Sequence, residues 1–179
     1  MLTVPLPPLP IPAFVVGLVV LTASTDIVCR RIPNPVIAVG LLAAFAVQAY
    51  LFGPVAGIGD ALAGAFAGFA LLIPLYLLRA TAAGDVKLLA MIGAWVGPMM
   101  ILHIALVSFV IGGLWSIAWT LFRGRMQQFA LNLWSIAHGA WRLQQAGMSS
   151  EPGIKSIGTL PYGVAIAAGT LVTLSLSVA

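Results

Sequence analysis

Apolar runs long enough to cross a bilayer, separated by short turns, leave this chain few folds to adopt. The runs cover about residues 11–29, 35–52, 59–78, 85–96, 99–122 and 161–178. A hydrocarbon core about 30 Å thick takes roughly 20 helical residues to cross, and every backbone polar group inside it must be satisfied within the segment. Hydrophobic residues make up 61% of the chain and charged ones 7%, against roughly 45–50% apolar in soluble domains. The expectation is an all-α, polytopic membrane protein with about six transmembrane helices in a single domain, residues 1–179.

Glycine and proline punctuate the runs. Asn34 suits an N-cap and Pro35 a first helical position, while Gly53-Pro54 and Gly97-Pro98 end the second and fourth runs. Gly64 and Gly68 are four apart, which lets a neighbouring helix come close. The fourth run is short: 12 residues of helix cover about 18 Å. Either it enters obliquely or Asp85 lies below the membrane surface. Over 125–147 the pattern changes. Gln128, Asn132, Ser135, Gly139 and Arg142 form a polar stripe, and Phe129, Leu133, Ile136, Ala140 and Leu143 an apolar one, with Trp134 and Trp141 nearby. That predicts an amphipathic helix lying at the cytoplasmic interface, followed by a loop over 147–158. The proline-rich start has no basic region, so no cleavable signal peptide is expected.

The eight basic residues are Arg30, Arg31, Arg79, Lys87, Arg123, Arg125, Arg142 and Lys155. With six spans and both termini outside, all of them face the cytoplasm, as the positive-inside rule asks. They are scattered rather than patched, so the net charge of +4 points to a lipid membrane as partner and not to nucleic acid. The same topology puts Asp26 and Asp85 at the cytoplasmic face and Asp60 at the opposite one. The single cysteine, Cys29, excludes a disulfide framework and a cysteine-based zinc site. His103 and His138 fall on different sides of the membrane, so no metal and no cofactor is expected.

The stretch Thr81-Ala82-Ala83-Gly84-Asp85-Val86-Lys87 sets a carboxylate and an ammonium beside a glycine at the lip of an apolar run. A carboxylate there is costly and marks a functional site by default. Asp26 closes one helix and Asp85 opens another on the same side, so the two can converge. Two carboxylates sharing one proton supply both the base and the acid that hydrolysis of an amide by water requires. Gly84 would let backbone or substrate approach the second carboxylate. A plainer reading fits the same spacing: Asp85 caps the fourth helix, Asp26 pairs with Arg30, and Lys87 snorkels to the interface.

These residues resemble the type IV prepilin peptidases, in particular the short form associated with Flp-type (tight-adherence) pili. That family's pattern is an Asp followed after five residues by Ile-Pro-Asn, then Gly-x-Gly-Asp-Val-Lys. Asp26 with Ile32-Pro33-Asn34 matches the first part, and Ala82-Ala83-Gly84-Asp85-Val86-Lys87 the second, with Ala82 in place of the first glycine. Gly93, Trp95, Gly97 and Leu160-Pro161-Tyr162-Gly163 also look like the family. The resemblance implies an aspartic endopeptidase of the bacterial inner membrane with Asp26 and Asp85 as its catalytic pair. Gly84, Lys87, Pro33 and Asn34 would then face substrate. The implied substrates are prepilins and pseudopilins, cut on the cytoplasmic side after a Gly that ends a short leader. Larger relatives also N-methylate the product with an added cysteine-bearing region, so no methyl transfer is expected here.

The sequence leaves association open, a homodimer included. A non-catalytic pilus-assembly factor and a small proton-coupled transporter are the competing classes, though transporter carboxylates belong nearer mid-membrane. Gly57-Ile58-Gly59-Asp60 fits Gly-x-Gly-Asp letter for letter, yet its topology predicts only a cap for the third helix.

Overall fold

The computed structural model describes residues 5–29, 31–78, 81–122 and 162–178, and the regular structure among them is helical throughout. Five helices follow in order: α1 (Ile11–Cys29), α2 (Asn34–Phe52), α3 (Pro54–Leu77), α4 (Ala83–Phe122) and α5 (Tyr162–Val178). The chain divides into two compact units, Met1–Gly112 with Pro161–Ala179, and Gly113–Leu160. Of the second, only the end of α4 is described. The expected amphipathic helix over 125–147, the loop over 147–158, and Arg30, Arg79, Arg123, Arg125, His138, Arg142 and Lys155 lie outside the described residues.

Within the first unit α4 is not one rod. Gly97 has φ 80° and ψ 173°, a conformation that side-chain-bearing residues rarely adopt, and Pro98 follows it. The Ile101 side chain comes within 3.3 Å of where a Gly93 Cβ would stand. Eight residues of straight helix would separate those positions by about 12 Å. The chain therefore doubles back at Gly97-Pro98 into a first arm (83–96) and a second arm (98–122). The break expected at this dipeptide is present.

The first arm is buried on nearly every side: Val86, Leu88, Leu89, Met91, Ile92, Ala94 and Trp95 are all inaccessible. Each neighbour meets it by a specific contact. From α3, Gly64 lies against the Gly93 carbonyl and Gly68 against that of Leu89, so close that any Cβ would overlap backbone. From α2, Gln48 Nε2 donates to the Trp95 carbonyl at 2.8 Å, and Trp95 Nε1 donates to that of Gly40 at 2.9 Å. From α1, Phe14 stacks on the Trp95 ring with centroids 5.3 Å apart. A helix apolar all round is an interior helix. This explains why so short a segment suffices: it is a post inside the bundle, shielded from its surroundings.

The outer helices are apolar outside as well as inside. Val28, Val39, Leu42, Phe66 and Leu106 are more than half exposed, which only a lipid environment accommodates at such density. Among the described residues, four helices are long and apolar enough to cross a membrane, Ile11–Cys29, Asn34–Phe52, Pro54–Leu77 and Ala83–Ala118, and Tyr162–Ser177 is a shorter apolar helix.

Two local expectations are corrected. α3 begins at Pro54 with Gly53 as its cap position (φ 87°), not near Gly59. Asp60 sits exposed in the second turn, beyond reach of the helix start, and cannot cap it. Nor does Asn34 cap α2: the cap position is Pro33 and no side chain bonds there, because the Asn34 amide oxygen has another partner, described below.

Candidate active site

α1 runs toward Asp26 and α5 runs away from it. Gly163 meets Asp26 at one end of the pair, while Leu171, Leu174 and Ser175 line a cavity with Pro12, Ala13 and Val16 at the other. The first backbone N–H groups of any helix lack an intrahelical acceptor. At α5 the Gly163 N–H donates instead to Asp26 Oδ2, 3.1 Å away and 137 residues distant in sequence. A Cβ at 163 would stand 2.7 Å from that carboxylate oxygen, so any other residue there would push the Asp26 side chain aside. The last turn of α1 thus caps α5.

The second aspartate is fixed in a similar way. Ala82 N–H donates to Asp85 Oδ2 at 3.1 Å, while the Asp85 N–H returns a bond to the Ala82 carbonyl at 3.1 Å. A carboxylate in the first turn reaching back to the N-cap amide is half of a capping box. A capping contact of Asp85, one part of the plain reading of the sequence, is therefore present, made from the first turn of α4 rather than from the cap position. It does not exhaust the residue, because Asp85 is 5% exposed and Asp26 7%, and the two carboxylates lie within coulombic reach of each other. Each is thus held by a backbone N–H at a helix start, where the peptide dipoles favour negative charge.

Around the pair, the 32–34 segment runs alongside the first turn of α4. Lys87 Nζ donates to Asn34 Oδ1 at 3.1 Å on the exposed edge, and Ile32 lies over Gly84. A Cβ at Gly84 would meet Ile32 at 3.6 Å, an ordinary contact. Gly84 is therefore not needed for a tight backbone approach, and of the two reasons read from sequence only access for a substrate remains. Asp26, Asp85, Gly84, Lys87, Pro33 and Asn34 all gather at this end. Asp60 does not: Gly57, one turn before it, packs against the Gln48 carbonyl in the last third of α2, about 21 Å of helix from Asn34.

Two residues of this end were given no role from sequence. Gly163 supplies the amide that holds Asp26, and Tyr162 places its hydroxyl within coulombic reach of Asp85. Their segment carries the resemblance, but nothing local shows which residue 137 positions away it will meet. Among the described residues, no three His, Cys, Asp or Glu side chains gather as metal ligands would.

The sequence model of the type IV leader peptidase family matches residues 13–117, more than half the chain and both aspartates. This chain belongs to the type IV leader peptidase family. Membership makes it a protease of a family whose members are of the aspartic type, and its apolar helices make it an integral membrane protein. No curated protein and no solved structure matches the chain.

Proposed function

We propose that this chain cleaves the leader from type IV prepilins and pseudopilins of the Flp type, with Asp26 and Asp85 as its catalytic pair. The reading rests above all on one observation: two buried carboxylates, from α1 and α4, lie within coulombic reach and are each oriented by a backbone N–H. One carboxylate takes a proton from water as the oxygen attacks the scissile carbonyl carbon, and the other, protonated, gives its proton to the carbonyl oxygen. Collapse of the tetrahedral intermediate breaks the C–N bond and returns a proton to the departing amine. Asn34, Lys87, Pro33 and Gly84 line the approach, with the Lys87–Asn34 bond at its exposed edge.

The site faces the cytoplasm in a six-span inner-membrane topology with both termini periplasmic. In support, the start of α1 and the end of α5 lie at one end of the bundle and the aspartates at the other. A reporter active only in the periplasm should be on when fused after Ala179 and off within 147–158. Co-expression with a Flp-type prepilin, followed by mass spectrometry of its mature amino terminus, tests the activity. Cleavage after the leader glycine, leaving an unmethylated amine, is expected. An intact leader beside well-expressed protein would favour a non-catalytic assembly factor.

A further inference from the structure

The Tyr162 hydroxyl oxygen is buried and has no hydrogen-bond partner among the described residues, in a residue that is itself half-buried. Buried hydroxyls ordinarily find a partner, and an orphan calls for an explanation. Crowding is not the explanation, because the ring is well seated. Gly112, on the second arm of α4, leaves room for it, since a Cβ there would stand 3.1 Å from Tyr162 Cε2. The residue stands at the catalytic end, in the first turn of α5. It lies within coulombic reach of Asp85, and the next residue, Gly163, donates its N–H to Asp26. A phenol is both donor and acceptor. Beside two carboxylates that already take backbone N–H bonds, its proton is a donor left without an acceptor, as is that of the buried Thr81 hydroxyl next to Ala82.

We propose that Tyr162 is a third catalytic residue, whose Oη–H is held ready for the carbonyl oxygen of the peptide bond being cut. This rests on the leader-peptidase reading above. As the water oxygen bonds to the carbonyl carbon, the π electrons move onto the carbonyl oxygen. The protonated aspartate transfers its proton there, and Tyr162 donates a hydrogen bond to the same oxygen without giving up its own proton. A donor aimed at developing charge in a water-poor site lowers the barrier selectively, because its bond strengthens as the reaction proceeds. The missing partner is then the substrate itself.

Tyr162→Phe keeps the ring and its seat against Gly112 and removes only the hydroxyl. The test uses the full chain in lipid nanodiscs with a synthetic peptide whose short leader ends in glycine, followed by the first residues of a prepilin apolar segment. Removal of one such donor typically lowers kcat by roughly 10²–10³-fold. We expect a kcat loss of that order, a nearly unchanged KM, and the same pH profile. A peptide analogue carrying a hydroxyl-bearing tetrahedral carbon at the cleavage position should lose affinity in parallel with kcat/KM, and the uncut peptide should not. Wild-type kcat, a change in KM alone, or a shifted pH profile at full maximal rate would each overturn the proposal. Failure of the wild-type chain to cut any such peptide would instead sink the leader-peptidase reading. Loss of activity in Asp26→Asn and Asp85→Asn with full activity in Tyr162→Phe would sink this inference alone.

Discussion

Two Gly-Asp steps occur in this chain, Gly59-Asp60 in α3 and Gly84-Asp85 in α4, and they meet opposite surroundings. Asp60 is exposed in the second turn of its helix, and Gly59 has open space around it. Asp85 is 5% exposed, bonds back to Ala82, and faces a second carboxylate brought by α1. The letters are the same, and at 57–60 they fit the pattern better. What separates the two is the partner that a distant part of the chain delivers. A buried carboxylate is costly unless something orients and compensates it. Such compensation surrounds Asp85, while Asp60, left exposed, does not need it.

The largest expected effect concerns the pair as a unit. Asp26→Asn, Asp85→Asn and the double variant should each lower leader cleavage by on the order of 10³-fold or more, with little further loss in the double, because co-operating groups are non-additive. Independent, multiplying losses in purified, folded variants would show that the two carboxylates act separately.

Two glycine substitutions sharpen the contrast between the ends. At the aspartate end, Gly163→Ala pushes a methyl group against Asp26 Oδ2. Ala is itself favoured over Gly in helices by up to about 1 kcal/mol, so cleavage should drop by roughly 10-fold or more while thermal stability holds. At the other end, Gly57→Ala drives a methyl into the Gln48 backbone carbonyl. Overpacking of this kind costs about 1–3 kcal/mol, so melting temperature should fall while cleavage per folded molecule survives. Measuring both properties on both variants decides it, and a swapped pattern would erase the distinction between the ends.

The smallest effect is expected at the exposed edge. Lys87→Met removes one solvent-facing hydrogen bond to Asn34, which on net contributes about 0.5–1.5 kcal/mol at most. Stability should barely move, and KM for a leader peptide should rise a few-fold. A collapse of kcat would place Lys87 in the chemistry.

Much of this arrangement could be read from the residues because it is written locally. Span lengths, the break at Gly97-Pro98 and the close approach at Gly64 and Gly68 follow from hydrophobic run length, ring geometry and missing side chains. Charge placement and topology put Asp26 and Asp85 on one side, where they can converge, but left a plain capping and ion-pair reading equally open. The rest depends on partners remote in sequence. Gly53 ends α2 and starts α3 in a single residue, which moves the start of α3 ahead of Gly59 and leaves Asp60 too far along the helix to cap it. Asn34 has the chemistry of an N-cap, but Lys87 claims its oxygen from 53 residues away. The burial of the first arm of α4 beyond its opening turn is invisible in its composition, which matches that of the lipid-facing helices around it.

The most direct measurement is leader cleavage by Asp60→Asn and Asp85→Asn at matched membrane levels, against wild type. The expected result is near-wild-type cleavage for Asp60→Asn and none detectable for Asp85→Asn. Cleavage lost in Asp60→Asn and kept in Asp85→Asn would contradict it, placing the working carboxylate at the opposite end of the bundle from Asp26.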